Sequence, residues 1–150
     1  MLHQGGLLHL GVYSEQKRAP ITQARKVLAS RALRPEPEVI RAVRQEIIRG
    51  AFEIDLKNVR NSRDFYSLSA CRDLLFHTHE QPLTIEDIQK AMREFGLRFL
   101  GFRDFQKPSF AKAYRERFPT DPSGTDLKMW KEYESRLTSP IGYDFWCQKR

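Results

Sequence analysis

Apolar positions recur along this chain with two periods, and the switches between them outline its elements. Residues 7–13 (LLHLGVY) follow a Gln4-Gly5-Gly6 turn and are apolar on both faces except at His9. Such a run predicts a strand inside a parallel sheet, covered on both sides and needing partner strands on its flanks. On a strand of that kind His9 is expected to be a packing histidine, although it could face a site. Residues 14–20 leave the strand, and 21–33 take up the helical period with Ile21, Ala24, Val27 and Leu28 inward. Pro35 and Pro37 end that helix and open the next, whose stripe is Val39, Ile40, Val43 and Ile47 and whose cap is Gly50. The two make a helical hairpin. Residues 51–61 are poorly patterned and read as a loop. Residues 66–80 admit two readings: Leu68, Cys71, Leu74 and Leu75 have helical spacing, while LLFHTH can also be extended.

The clearest local grammar begins at Pro82. Thr84 is a good N-cap with Asp87 three residues on, as in a capping box, and Leu83 and Ile88 sit at the positions of a hydrophobic staple. Ile88, Ala91, Met92 and Phe95 form one helical stripe, Gly96 supplies the stop, and 97–102 reads as a strand. A short helix follows over 109–118, with Phe110, Ala113, Tyr114 and Phe118 inward and Pro119 as its end. Thr125 is expected to cap a further helix carrying Leu127, Trp130, Tyr133 and Leu137. Residues 141–147 alternate, with Tyr143, Phe145 and Cys147 on one face: a last strand.

Composition narrows the class. A chain of 150 residues with 40% hydrophobic content can bury one core, as a single domain or a fragment of a larger one. No apolar run approaches the ~20 residues of a membrane span, and the N-terminus lacks the layout of a secretory signal. Cys71 and Cys147 are far apart, and both are expected to be reduced thiols in a cytoplasmic protein. The net charge of +7 is uneven: residues 1–63 hold 12 Lys/Arg against 6 Asp/Glu, residues 64–150 hold 14 against 13. The basic hairpin could therefore be a nucleic-acid or acidic-partner surface, or simply a solvated helical face. Its lack of Phe, Tyr and Trp weakens a single-strand binding mode. His77 and His79 would share a face only on a strand, and no further ligand spacing accompanies them, so no metal site is expected. Cys71 lies among leucines with no obvious base and reads as core.

Beyond these patterns, QGGLLHLGVYSE resembles the fifth strand of class I S-adenosylmethionine-dependent methyltransferases. There a Pro-Gly-Gly turn leads into an apolar strand ending in Tyr-Ser, and here Gln4 stands in place of the proline. The block RDFYSLSACRDLLFH, the helix TIEDIQKAMREFGLRFLGF, then RERFPTDPSGTDLKMWKEYE and a closing YDFWCQKR are similar, in the same order, to a bacterial subgroup of these domains often fused to tetratricopeptide repeats. The likeness covers nearly the whole chain, and its specificity lies in the ordered set. It implies an α/β fold of partial doubly wound (Rossmann-like) type, about three strands with several helices, ending in two antiparallel strands. Every matching segment falls at or after strand five, and the chain has no Gly-x-Gly. The N-terminal cofactor-binding half is thus expected to be absent, with the chain beginning at an internal methionine or an arbitrary boundary.

The implied organisation is a strand-five region (1–15), an inserted helical hairpin and loop (16–62) and a C-terminal αβ unit with the last strands (63–150). S-adenosylmethionine would be the cofactor of the complete domain, and this part, inactive alone, would supply a substrate wall. Tyr13, Ser14 and Glu15 fall at the carboxyl edge of the sheet, where open α/β sheets bind ligands. Asp64, Tyr66, Ser67, Arg72, His77, His79 and Glu80 offer hydrogen-bonding, aromatic and acid/base groups. In this reading Tyr66 and Arg72 orient the substrate and His77 or His79 accepts a proton. The alternative is that these residues only fix the inserted helices to the sheet. An unpaired strand edge along 7–13 is expected to self-associate or to pair with the missing half.

Overall fold

The structure, a computed structural model, describes residues 2–138 and 140–150. Its strands are β1 (Leu7–Val12), β2 (Leu97–Phe102) and β3 (Tyr143–Lys149). Its helices are α1 (Glu15–Ser30), α2 (Pro37–Ile48), α3 (Lys57–Arg60), α4 (Leu68–Phe76), α5 (Ile85–Glu94), α6 (Pro108–Arg117) and α7 (Leu127–Glu134), with short 3-10 turns at Arg63–Phe65 and Arg103–Gln106. The chain divides into two compact units, one made of Met1–Lys17 with Gln81–Arg150 and the other of Arg18–Glu80. No helix among the described residues is long and apolar enough to cross a membrane.

The first unit is a mixed helix-and-strand structure built on a sheet of order β1-β3-β2. β3 runs antiparallel to both neighbours, from Leu7↔Gln148 to Val12↔Tyr143 on one side and from Leu97↔Lys149 to Phe102↔Phe145 on the other. The expected alternation in β3 is present: Tyr143, Phe145 and Cys147 are buried against α5, α6 and α7 residues in one apolar cluster. Trp130 lies at the centre of that cluster, stacked on Tyr114 at 4.3 Å and edge-on to Phe102 at 5.0 Å, with Nε1–H donating to the Gly124 carbonyl at 2.7 Å. An indole is well placed in a core only where its N–H finds such an acceptor.

β1 has the expected open edge but not the expected cover on both faces. Within this chain it is an edge strand in an antiparallel pair, and one of its faces is open. Leu8, Leu10 and Val12 are half-buried against the core, while Leu7, His9 and Gly11 are exposed. Apolar residues on both faces show what a strand tolerates; they do not say that a partner covers each face. His9 is not a core residue either. It pairs with Asp144, stacks on Trp146 at 4.6 Å, and Asp144 also accepts from Arg103 at 3.0 Å.

Several helix ends sit where local chemistry puts them. Thr84 Oγ accepts the Asp87 N–H at 3.1 Å and the Asp87 carboxylate accepts the Thr84 N–H at 2.9 Å, so α5 opens with a complete capping box. Gly96 follows α5 with φ +59°, a left-handed turn that a Cβ would strain. Phe95, placed in the inward stripe by the sequence, is instead exposed, because the helix ends at Glu94 and Phe95 leaves its phase. α1 starts at Glu15, before the expected beginning at 21, and holds Pro20 within it. Ser14 Oγ accepts the Lys17 N–H at 3.3 Å, which gives that helix an N-cap. α7 is capped by Asp126, which accepts the Lys128 N–H at 2.8 Å, rather than by Thr125. In α6 the buried stripe is Ala111, Tyr114 and the following Phe118, and Ala113 is exposed.

The second unit, by itself, is all helix. Ala24 and Leu28 of α1, Ile40, Val43 and Ile47 of α2, and Cys71, Leu74 and Leu75 of α4 form its core with Phe52, Leu56, Val59 and Phe65. The stretch 51–61 therefore contributes three buried anchors and the single turn α3, more order than its weak pattern foretold. The unit ends at Glu80, so α4 belongs with the hairpin and the helical segment does not stop at 62.

The capping box should be measurable. Thr84→Ala removes one acceptor from the α5 N-terminus and is expected to cost about 1 kcal/mol. Urea unfolding checks this, with the midpoint shifted and the slope unchanged.

Candidate functional site

The residues with candidate chemistry fall at three places. The first is a groove of about 430 Å³ in the helical unit, lined by Ser69, Arg72, Asp73, Phe76, His77 and neighbours. Local sequence explains it. Cys71, Leu74 and Leu75 take the buried face of α4, so Ser69, Arg72, Asp73 and His77 are left on the exposed side. Ser67 caps the start of the helix, and at its end His77 is extended (φ −67°, ψ 128°), which turns the chain away. Among the predicted substrate residues, the structure thus brings Arg72 and His77 to one groove. Arg72 makes no ion pair among the described residues.

The His77 imidazole has a defined role in this geometry. Its Nδ1 accepts the His79 backbone N–H at 3.2 Å, so in the neutral ring the proton is on Nε2. His77 therefore offers a hydrogen-bond donor to the groove. As a proton acceptor it would first have to give up the bond to His79, whose own ring is exposed. Tyr66 is exposed, edge-on to Phe65 at 5.4 Å, and does not line the groove; Asp64 and Ser67 are exposed as well.

Glu80 has a different occupation. Arg18 holds it with two bonds of 2.6 and 2.7 Å, and Arg25 adds one of 3.0 Å while also donating to the Leu74 and Asp73 carbonyls at the end of α4. Burial alone would raise the Glu80 carboxyl, but the bonds from Arg18 and Arg25 outweigh it and hold it below the usual carboxylate range. A carboxylate so engaged is a clamp that closes the helical unit.

The second place is the end of β1, in the other unit. Tyr13 and Glu15 flank a parallel bridge between Ser14 and Leu83: the Leu83 N–H donates to the Tyr13 carbonyl at 2.7 Å and the Glu15 N–H donates to the Leu83 carbonyl at 2.9 Å. Both side chains are exposed. Beside them is a cluster that the sequence reading missed. Glu134 is buried, accepts from Tyr143 Oη at 2.7 Å and from Ser14 Oγ at 3.4 Å, and has no cation within ion-pair distance among the described residues. Burial raises its carboxyl, the two hydroxyls offset part of that, and the charge of Glu86 adds to it; the Tyr143 hydroxyl is raised as well, by its own burial and by Glu134. A signal existed: Glu134 follows Trp130 by four positions and precedes Leu137 by three, which puts it on the inward stripe of α7.

The third place is structural. Asp121 is buried and collects the Tyr114 hydroxyl at 2.7 Å with the Thr125 and Asp126 N–H groups at 3.1 and 3.0 Å, fixing the loop between α6 and α7. Neither thiol is poised as a nucleophile. Burial pushes Cys71 up to about 11 against the nearby charge of Arg44, and it raises Cys147 too.

Part of the basic surplus of the helical unit is committed internally. Besides Arg18 and Arg25, Arg31 is paired with Glu46 at 2.7 Å and Glu53 at 2.9 Å, Arg41 with Glu38 at 3.2 Å, and Arg44 donates to the Tyr66 carbonyl at 3.2 Å. No protein-family model matches the chain, and no curated protein matches it at a significant level.

The buried acid gives a pH signature. Because the folded Glu134 carboxyl is raised, its share of stability is complete below the unfolded value of about 4.3 and is lost as pH rises through the raised value. Glu134→Gln keeps the shape and an acceptor for Tyr143 without the charge. It is expected to melt no lower than the parent at about pH 8, and to lose any advantage by about pH 4. Paired thermal melts across that range check the sign.

Proposed function

We propose that this chain is the C-terminal, substrate-side part of an S-adenosylmethionine-dependent methyltransferase domain, inactive on its own. The observation that carries the reading is the sheet. Its first strand, in the segment that resembles strand five of the family, has an outer edge along Leu7–Val12 with no strand partner among the described residues, and its closing strands run antiparallel. An unpaired edge of six residues beside an apolar core is what a strand flanked by further strands would leave when they are taken away.

Two grooves of this chain are unsuited to the cofactor. The α4 groove presents Arg72, and a second groove at β2 presents Arg93, Arg98 and Arg150, cations that disfavour a sulfonium. The cofactor therefore belongs to the other half in this reading, and what this chain offers is contact with the methyl acceptor. Arg72 is a fixed positive charge for an anionic group, and His77 Nε2–H donates beside it. Tyr66, away from the groove, is left with a flanking role. Catalysis by such a part would be positional: it holds the acceptor in line with a donor bound elsewhere.

The test is complementation. The cofactor-binding half of a class I methyltransferase joined upstream of Leu2 should give a soluble chimera that binds S-adenosylhomocysteine in calorimetry, while the 150-residue chain alone gives no heat. Binding by the chain alone, or a folded chimera that binds nothing, contradicts the reading.

A further inference from the structure

We infer that the outer edge of β2 is a binding site for an acidic peptide segment in extended conformation. β2 pairs with β3 on one side only. Among the described residues, no backbone hydrogen bond from outside the sheet reaches residues 97–102 on the other side. The register shift between Phe99 and Gly101 leaves Leu100 without a partner in β3, and Gly101 there has φ +130°. A bulge of this kind turns an edge and interrupts its own pairing.

A groove of about 650 Å³ lies against this strand, and four consecutive residues, 97–100, line it. A groove on one face of a strand would meet alternate residues only, so this one runs along the edge, where the backbone N–H and C=O groups point. Its other wall is α5 and the start of α7, with Met92 and Leu127 as apolar surface. An added strand would find main-chain partners on one side and apolar contact for alternate side chains on the other.

The charge of the groove selects the partner. Arg93, Arg98 and Arg150 all line it. Arg98 donates to the neutral Gln148 amide at 2.6 Å, and neither Arg93 nor Arg150 has an ion-pair partner among the described residues. The one acidic residue on the wall, Asp126, is occupied in capping the Lys128 N–H. Three guanidinium groups beside an open strand edge fit carboxylates on an extended chain, each able to take a bidentate pair. A single-stranded nucleic acid would also meet the positive charge, but the groove offers it no exposed aromatic face on which to stack; Phe99 is buried.

The test is fluorescence anisotropy on the 150-residue chain with acetylated, amidated, dye-labelled heptapeptides. One alternates Glu and Thr, a second replaces Glu by Lys, and a third keeps Glu but carries N-methyl groups on alternate amides. The first is expected to bind and to weaken as salt is raised, and the other two are not. Arg93→Glu with Arg150→Glu should weaken the first at least about tenfold, circular dichroism confirming the fold. If that double variant does not fold, the three peptides on the parent chain still decide. The inference is overturned if the acidic peptide does not bind, if the N-methylated peptide binds as well as the first, or if an oligothymidylate binds in preference to it.

Discussion

The first unit depends on β3. Its two neighbours, β1 and β2, do not touch each other in the sheet, and each has β3 as its strand partner. The inward stripe of Tyr143, Phe145 and Cys147 also meets the aromatic cluster around Trp130, so one seven-residue strand joins sheet and helices. The constraint is costly in chain entropy, since Leu7 must find Gln148 across almost the whole sequence. Long-range pairings of this sort form late and slowly. Until the end of the chain arrives, β1 and β2 both lack their strand partner.

How much of this was legible in the residues follows the range of the interactions. The capping box at Thr84 and Asp87, the left-handed Gly96, the stripe of α2 and the alternation of β3 rest on neighbours within a few positions, and the structure has them all. What could not be read was set by distant partners. Glu80 is bound by residues 62 and 55 positions away, so its role as a clamp had no local sign. His9 meets Asp144 only because β1 pairs with β3. The antiparallel pairing of β1 with β3 was not legible for the same reason: an apolar run reports burial, and burial alone does not identify the neighbour.

The candidate groove was half legible. Arg72 and His77 were named from the sequence, and α4 does bring them to one place. Tyr66 and Glu80 were named with them by proximity in sequence, but helical geometry separates the first and ion pairing takes the second. Glu134 was missed although its spacing from Trp130 places it on the inward stripe of α7. The functional account therefore stands on two open features, an exposed groove with a fixed cation and an imidazole donor, and a sheet with unsatisfied edges.

The most direct test is amide hydrogen exchange, followed by NMR under conditions where sedimentation shows a monomer. The account predicts protection throughout β3 and an alternating pattern in β1, in which only the amides turned toward β3 are protected and the others exchange freely. Uniform protection along Leu7–Val12 would mean that the outer edge of β1 is already covered, and the account of an incomplete sheet would be contradicted.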